Sequence, residues 1–439
     1  MASDLLCIGG EDHHLRIPFL LALRRRGFRL SAAGTGDPTP FVRTGLDYHP
    51  FHFGRFVSPI ADWATFKAIA KIIADVRPAV VQCFDTKLNV LVPFAARAHE
   101  EVKVVGTING LGWLYSSRSP MALGLRPIYQ VLQSLASRAT SVTVFQNRDD
   151  QTFFERHRMI GRGGNLLIPG SGIDVAQFDD AISKGPSPRE LRQALGLGNA
   201  EVVMTVTRMT RQKGIPTLLE AAALVHQHRP GVRFLLVGPR ESEGRFAVTQ
   251  TEIDRHSAYV SAIGPRTDVP ALLGIADVFA MPTEYLEGVP RALLEAAAAS
   301  RAIVTTRMPG CSDVIRDGWN GFLVPPRSPQ ILAQRIVDLL SNPEAARAMG
   351  ARAAKLVREE FNLDLTVARY AAIYEELLSR SARTRRHTVG DPPGGIALEH
   401  GPCCDDAPQI GDRQSIRERL APCRQIIGSV RKSWSGEGS

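Results

Sequence analysis

Short apolar runs alternate with longer amphipathic stretches from the first residues to about position 380, and the alternation falls into two series. The first series holds the runs LLCIGG, FRLSAAG, AVVQCFD, VKVVGTING, SVTVFQN and NLLIPGSGID. Stretches of helical period lie between them, such as the one carrying Trp63, Phe66, Ile69, Ile72 and Ile73. Strands apolar throughout and separated by helices are the mark of parallel sheets with crossover connections, because helices cover both faces. After the polar segment SKGPSPREL the pattern restarts with VVMTVTR, RFLLVG, YVSAIG, DVFAMPT, AIVTTR and GFLVPP. The reading is an α/β protein of two Rossmann-like domains, over residues 1–180 and 195–360, with a helix over 361–380 returning to the first domain. Ligands of such sheets bind outside the carboxyl ends of the strands, so a site is expected in the cleft between the domains.

Beyond Ser381 the periodicity stops, and 381–439 reads as a low-order tail rich in turn formers and charge. Within it, RERLAPCRQIIGSVRKSW has the pattern of a short basic amphipathic helix. His400, Cys403, Cys404 and Cys423 lack the paired spacing of a zinc site and read as incidental. The 439 residues, 44% hydrophobic, suffice for two cores. No uninterrupted apolar run reaches the roughly 18 residues of a membrane span, and the start has no signal-peptide pattern, so a soluble cytoplasmic protein is expected. Cys7 and Cys83 fall inside predicted strands, as reduced thiols do. The net charge of +9 suits nucleic acid, anionic lipid or anionic substrates. Nucleic acid is set aside, because no basic motif with interleaved stacking aromatics is present.

The stretch from Tyr285 to Val324 carries the most chemistry. Pro290 suits a first helical position and Arg291–Ser300 reads as helix, so Gly288 and Val289 are expected to present free backbone N–H groups at a helix N-terminus, a place for a diphosphate. Glu287 stands before that helix and Glu295 between one and two turns into it; both suit sugar hydroxyls, although each is also what a dipole-favoured or solvated helix residue looks like. In VTRMTRQKG, Arg208 and Lys213 stand at R-x4-K spacing before a helix starting near Pro216. Two fixed cations there would stabilise charge on a departing phosphate without a metal ion. The D-x-D tripeptide of metal-nucleotide clamps is absent from the sequence, so no metal and no cofactor beyond a nucleotide-sugar substrate is expected. Asp268 reads as the cap of a helix beginning at Val269.

The Glu287-to-Glu295 spacing with Gly-Val-Pro between closely resembles the donor signature of retaining GT-B glycosyltransferases of the large family 4. The resemblance covers roughly residues 4–375 and is strongest from Val202 to Pro326. It implies that Glu287 contacts the donor sugar, that the loop amides of Gly288 and Val289 hold the distal phosphate, and that Glu295 binds the ribose hydroxyls. Arg208 and Lys213 match the family's diphosphate-binding pair, and Arg266 stands near the nucleotide base. The loops VVQCFDTKLNV, TINGLGWLY, VFQNRDD and IPGSGID are similar to those of members that extend polyprenyl-diphosphate-linked saccharides of capsule, O-antigen or exopolysaccharide. Where other relatives carry a catalytic-site histidine, this chain has Asn109 with Gly110.

In the first domain Gly9 and Gly10 could let backbone approach a diphosphate, but the G-x-G-x-x-G fingerprint of NAD enzymes is missing. Asn109, Gly110 and Gly112 suit close approach to an acceptor, with a plain turn as the alternative. Asp85 faces the cleft by position or caps the next helix, and His13, with His14, lies near the first loop. The segment WLYSSRSPMALGLRPIYQVLQSLASR interleaves large apolar residues with Arg118, Arg126 and Arg138. It reads either as an interfacial patch for anionic lipid or as ordinary helix-packing surface. Residues 1–170 hold 20 Lys and Arg against 13 Asp and Glu, so most of the excess charge lies there. The resulting expectation is a retaining, metal-independent enzyme moving a hexose or acetamido-hexose from a UDP- or GDP-sugar to a lipid-linked saccharide, at the inner face of the cytoplasmic membrane. A GT-B sugar-nucleotide epimerase, a soluble-acceptor enzyme and a non-catalytic nucleotide-binding scaffold are the alternatives.

Overall fold

The computed structural model describes residues 4–54, 58–240, 244 and 246–389, with side chains up to 379. Most of the segment read as a tail therefore lies outside the described residues. The chain divides into two compact units, one through Tyr370 and one from Ala371. The described part of the second unit is the remainder of the helix Leu363–Val389, so the backbone stays helical for nine residues past Arg380.

The first unit contains two parallel sheets. Strands β1 (Leu5–Ile8), β2 (Leu30–Gly34), β3 (Asp47–Pro50), β4 (Val80–Cys83), β5 (Lys103–Ile108), β6 (Val142–Phe145) and β7 (Asn165–Leu167) form one. Strands β8 (Val202–Val206), β9 (Arg233–Val237), β10 (Val260–Ala262), β11 (Val278–Met281), β12 (Ala302–Thr306) and β13 (Phe322–Val324) form the other. Every pairing is parallel, in the orders β3-β2-β1-β4-β5-β6-β7 and β10-β9-β8-β11-β12-β13. This is the GT-B architecture.

The continuous apolar runs are explained by burial on both faces. All four residues of β1 and all five of β12 are buried. In β8, Val202 and Met204 enter one core and Val203 the other, each contributing about 1.5–3 kcal/mol on removal from water. Strand β3 has no sequence counterpart among the predicted runs. DYHP is a partly exposed edge strand that ends in proline, which has no N–H to donate to a ladder and is tolerated at an edge. The helix Pro59–Val76 buries Thr65, Ile69 and Ile73, whereas Trp63 turns outward at 58% exposure.

Strand order reverses between β1 and β4 in the first sheet and between β8 and β11 in the second. At such points the two flanking connections run to opposite faces and leave a crevice at the carboxyl ends. The chain leaving β1 carries Gly9 and Gly10 and that leaving β4 carries Asp85; the chain leaving β8 carries Arg208 and that leaving β11 carries Glu287. Topology alone thus gathers most of the predicted residues at two crests.

Candidate active site

At the second crest, the Thr210 hydroxyl accepts the Lys213 N–H at 3.3 Å and caps the tight turn Arg211–Lys213. Gly214 follows with φ +73°, and a Cβ there would lie 1.8 Å from the Pro282 carbonyl oxygen. Only glycine allows this turn to press against the loop after β11. The result is an ion pair. Lys213 Nζ lies 2.6 Å and 2.7 Å from the two carboxylate oxygens of Glu287, and the Thr283 hydroxyl donates to the same carboxylate at 3.3 Å. Lys213 is only 8% exposed, so the pair is largely withdrawn from water and each partner depends on the other for compensation. Arg208 stands half-buried just past the end of β8, while Arg211 turns outward to Glu252 at 2.7 Å.

The loop after β5 meets this crest. Gly110, at φ +118°, approaches so closely that a Cβ would lie 2.4 Å from the Glu287 Cα. Gly112 N–H donates to the Leu286 carbonyl at 2.8 Å, and Leu286 N–H donates to the Ser116 hydroxyl at 2.8 Å. Gly288 N–H donates to the Asn109 carbonyl at 2.6 Å. The expectation of a free Gly288 amide is corrected accordingly: the first-domain loop supplies its acceptor. The helix itself begins at Arg291 with Pro290 as its cap residue, and Val289 is buried against Gly170. Asn109 Oδ1 is buried and has no hydrogen-bond partner among the described residues.

Asn147, which caps the helix Arg148–Arg156, donates both to Asp150 Oδ2 at 2.7 Å and to the Glu287 carbonyl at 3.4 Å. Burial pushes the Asp150 carboxyl up to about 7, partly offset by the Asn147 hydrogen bond and reinforced by the charges of Asp149 and Asp313. Asn147 and Ser116 were missed in the sequence, where a capping Asn and a Ser in a short helix carry no sign that they reach another domain.

Glu295 lies one turn into the helix Arg291–Ala298 and accepts from Arg291 Nε at 2.8 Å. It faces a cavity of about 640 Å³ that it shares with Arg16, Phe84, Arg266, Arg291 and Tyr370. Glu287, Lys213 and Arg208 are not among the described residues lining that cavity. Arg266 forms a two-point pair with Asp268, at 2.8 Å and 2.6 Å, and holds its carboxyl below the usual range. The expectation that Asp268 caps its helix is corrected: its side chain makes no capping hydrogen bond, and its carbonyl accepts the Leu272 N–H at 3.0 Å. Arg16 was also missed. Its guanidinium lies 3.9 Å above the Phe84 ring, and burial pulls its pKa down against the opposing charge of Asp85.

The first crest is built differently. Gly10 N–H donates to Asp85 Oδ2 at 2.8 Å, tying the β1 loop to the β4 loop. Asp85 has φ +77°. A Cβ on Gly9 would lie 2.1 Å from His13 Nδ1, and one on Gly10 would lie 2.7 Å from Asp85 Oδ2. Both glycines are thus required by the packing of their own domain. His13 is fully buried and stacked on Phe41, and burial, with help from Arg16, pushes its pKa down to about 3. His14 is exposed.

Two crests of parallel sheets, one carrying a largely buried Lys-Glu pair, with a cavity beside a helix that presents a carboxylate, make up a two-domain GT-B protein. Residues 188–356 match the family model described as "Glycosyl transferases group 1", and they form a domain of that family. The chain is 24% identical to a Campylobacter jejuni N,N'-diacetylbacillosaminyl-diphospho-undecaprenol alpha-1,3-N-acetylgalactosaminyltransferase, over 84% of this chain and 97% of the relative. It is 26% identical to an Escherichia coli UDP-Gal:alpha-D-GlcNAc-diphosphoundecaprenol alpha-1,3-galactosyltransferase, over 62% of this chain and 68% of the relative. Among solved structures, Anabaena Alr3699/HepE in complex with UDP superposes with a TM-score of 0.69 at 21% identity, covering 86% of this chain and 100% of that one. Among the described residues no helix is long and apolar enough to cross a membrane.

Proposed function

We propose that this chain transfers a hexose or acetamido-hexose, with retention of configuration and without a metal ion, from a UDP- or GDP-sugar to a lipid-linked saccharide in bacterial surface polysaccharide synthesis. The observation that carries the reading is the Lys213–Glu287 contact at 2.6 Å, which sets a cation for phosphate beside a carboxylate for sugar at one crest. Glu295, one turn into the next helix and facing the cavity with Arg266, suits the ribose and base end of a nucleotide. The lipid-linked acceptor is supported by the undecaprenol-diphosphate saccharides that the two relatives' names specify.

In the reaction the bond between the sugar C1 and the β-phosphate oxygen breaks, and C1 bonds to the acceptor hydroxyl oxygen on the same face. The hydroxyl proton passes to the departing phosphate. Lys213 and Arg208 stabilise the charge on that phosphate, and Glu287 accepts a hydrogen bond from a donor-sugar hydroxyl. Because the chain's own cations neutralise the leaving group, transfer should persist in excess EDTA. Incubation with a panel of UDP- and GDP-sugars and lipid-linked acceptors, with the product anomer read by NMR, tests the reading. An inverted anomer, or activity lost in EDTA and restored by Mg²⁺ or Mn²⁺, refutes the mechanism.

A further inference from the structure

The helix Pro120–Ser137 turns its large apolar residues outward, unlike an ordinary surface helix. Met121, Ile128, Val131 and Leu132 are 41–61% exposed, and Gly124, Leu125 and Leu135 fall on the same arc of roughly 120° at 3.6 residues per turn. The face packed on the protein carries only small or polar buried residues, Ala122, Gln133, Ala136 and Ser137. The helix has one charged residue, Arg126, and that residue is turned inward. Its guanidinium donates to the carbonyls of Leu114, Tyr115 and Ser117 at 3.0, 3.1 and 2.9 Å. A water-facing helix places apolar residues against the core and charges outward, so an uncharged apolar outer face calls for another apolar phase.

The ends of this face are basic. Arg118 precedes the helix and Arg138 follows it, both exposed; at the second end Ser134 also donates to the backbone carbonyl of the exposed Arg158. Apolar centre and arginine ends match the acyl chains and phosphates of an anionic bilayer surface. A second copy of the chain fits less well, because a two-fold contact through this face would bring like-charged arginine rims together. We propose that the outer face of helix Pro120–Ser137 docks in the interfacial layer of anionic lipid. The docking itself is independent of the reaction proposed above. Its use, delivering a lipid-linked acceptor, rests on that reading. The link is physical: the short helix Gly112–Ser116, pinned by Arg126, holds the Leu286 amide and carbonyl next to Glu287.

Co-sedimentation of the full chain with vesicles of phosphatidylcholine plus phosphatidylglycerol, against phosphatidylcholine alone, tests the surface. The wild-type chain should bind the anionic vesicles and lose binding as salt rises. The double variant I128E/V131E should lower partitioning at least about tenfold, and R138S and R158S about fivefold each, at unchanged thermal stability and unchanged donor hydrolysis. Wild-type binding undiminished in I128E/V131E overturns the proposal, as does failure of the wild type to bind. A dimer in light scattering that I128E/V131E dissolves would make the face a self-association surface instead. Vesicle binding intact with no transfer to any lipid-linked acceptor would leave the docking standing and refute the acceptor reading.

Discussion

The two sheets present the same topological feature, a reversal of strand order, and furnish it with opposite chemistry. At the first, a glycine amide and an aspartate close the crevice: Gly10 to Asp85 at 2.8 Å, with Gly9 packed on a buried His13. At the second, a lysine and a glutamate meet at 2.6 Å, with Arg208 at the end of the adjoining strand. The difference follows from what each loop has beneath it. The β1 loop lies over buried side chains of its own domain, which leave no room for anything larger than glycine. The β8 loop ends in a capped turn that lifts a long cation over the next strand's exit. On the function proposed above, the first crest serves mainly as a frame and the second supplies the charges used in transfer.

The comparison breaks most sharply at Lys213. Lys213→Ala removes the cation and strands a Glu287 carboxylate that is mostly buried, so kcat/KM should fall by about 10²–10³-fold, the range for a lost charge-stabilising group. Steady-state kinetics together with thermal unfolding separate the catalytic loss from destabilisation. Wild-type kinetics in this variant would remove the second crest from the mechanism.

A finer cut separates the two carboxylates of the second domain. Glu295 faces the cavity, whereas Glu287 is absorbed by Lys213 and lies outside the cavity's lining. Glu295→Ala should weaken binding of free UDP or GDP by roughly 1–3 kcal/mol, as for a lost charge-assisted hydrogen bond. Glu287→Ala should leave that affinity unchanged or raise it, because Lys213 is released for phosphate, while transfer collapses. Isothermal titration of both variants decides the matter, and the opposite pattern would exchange the roles of the two residues.

Twelve of the thirteen strands could be read from apolar runs, most of them because strands buried on both faces leave a continuous signal; the edge strands β7 and β10 could be read from runs longer than their paired residues. Strand β3 could not, since its four residues DYHP, none of them buried, form no apolar run. Of the site, Lys213 and Glu287 were legible as spaced charges at strand exits, and their contact followed from the strand order. What the sequence hid was the meeting of loops distant along the chain. The Asn109 carbonyl that takes the Gly288 amide, the Asn147 amide on the Glu287 carbonyl and the inward turn of Arg126 all depend on tertiary approach, which no local period encodes. His13 illustrates the converse. A histidine beside a glycine pair reads as cleft chemistry, yet the turn that follows β1 folds its ring under Gly9, where burial keeps it neutral.

The smallest expected effect tests the frame itself. Asp85 has φ +77° and its carboxylate accepts the Gly10 N–H, so two demands meet at one residue: tolerance of a left-handed backbone and an oxygen at the right place. Asparagine meets both and alanine neither, because Asn adopts positive φ readily and its amide oxygen can accept the same hydrogen bond. Asp85→Ala should therefore lower stability by roughly 1–2 kcal/mol through the unsatisfied Gly10 amide and the strained turn, with kcat/KM within a few-fold of wild type after correction for folding. Asp85→Asn should restore stability nearly to wild type. Chemical denaturation of the pair, read beside their kinetics, gives the answer. If Asp85→Asn keeps its stability and transfer nonetheless drops by two orders of magnitude, the Asp85 charge is used in the reaction, and the first crest carries chemistry as well as the second.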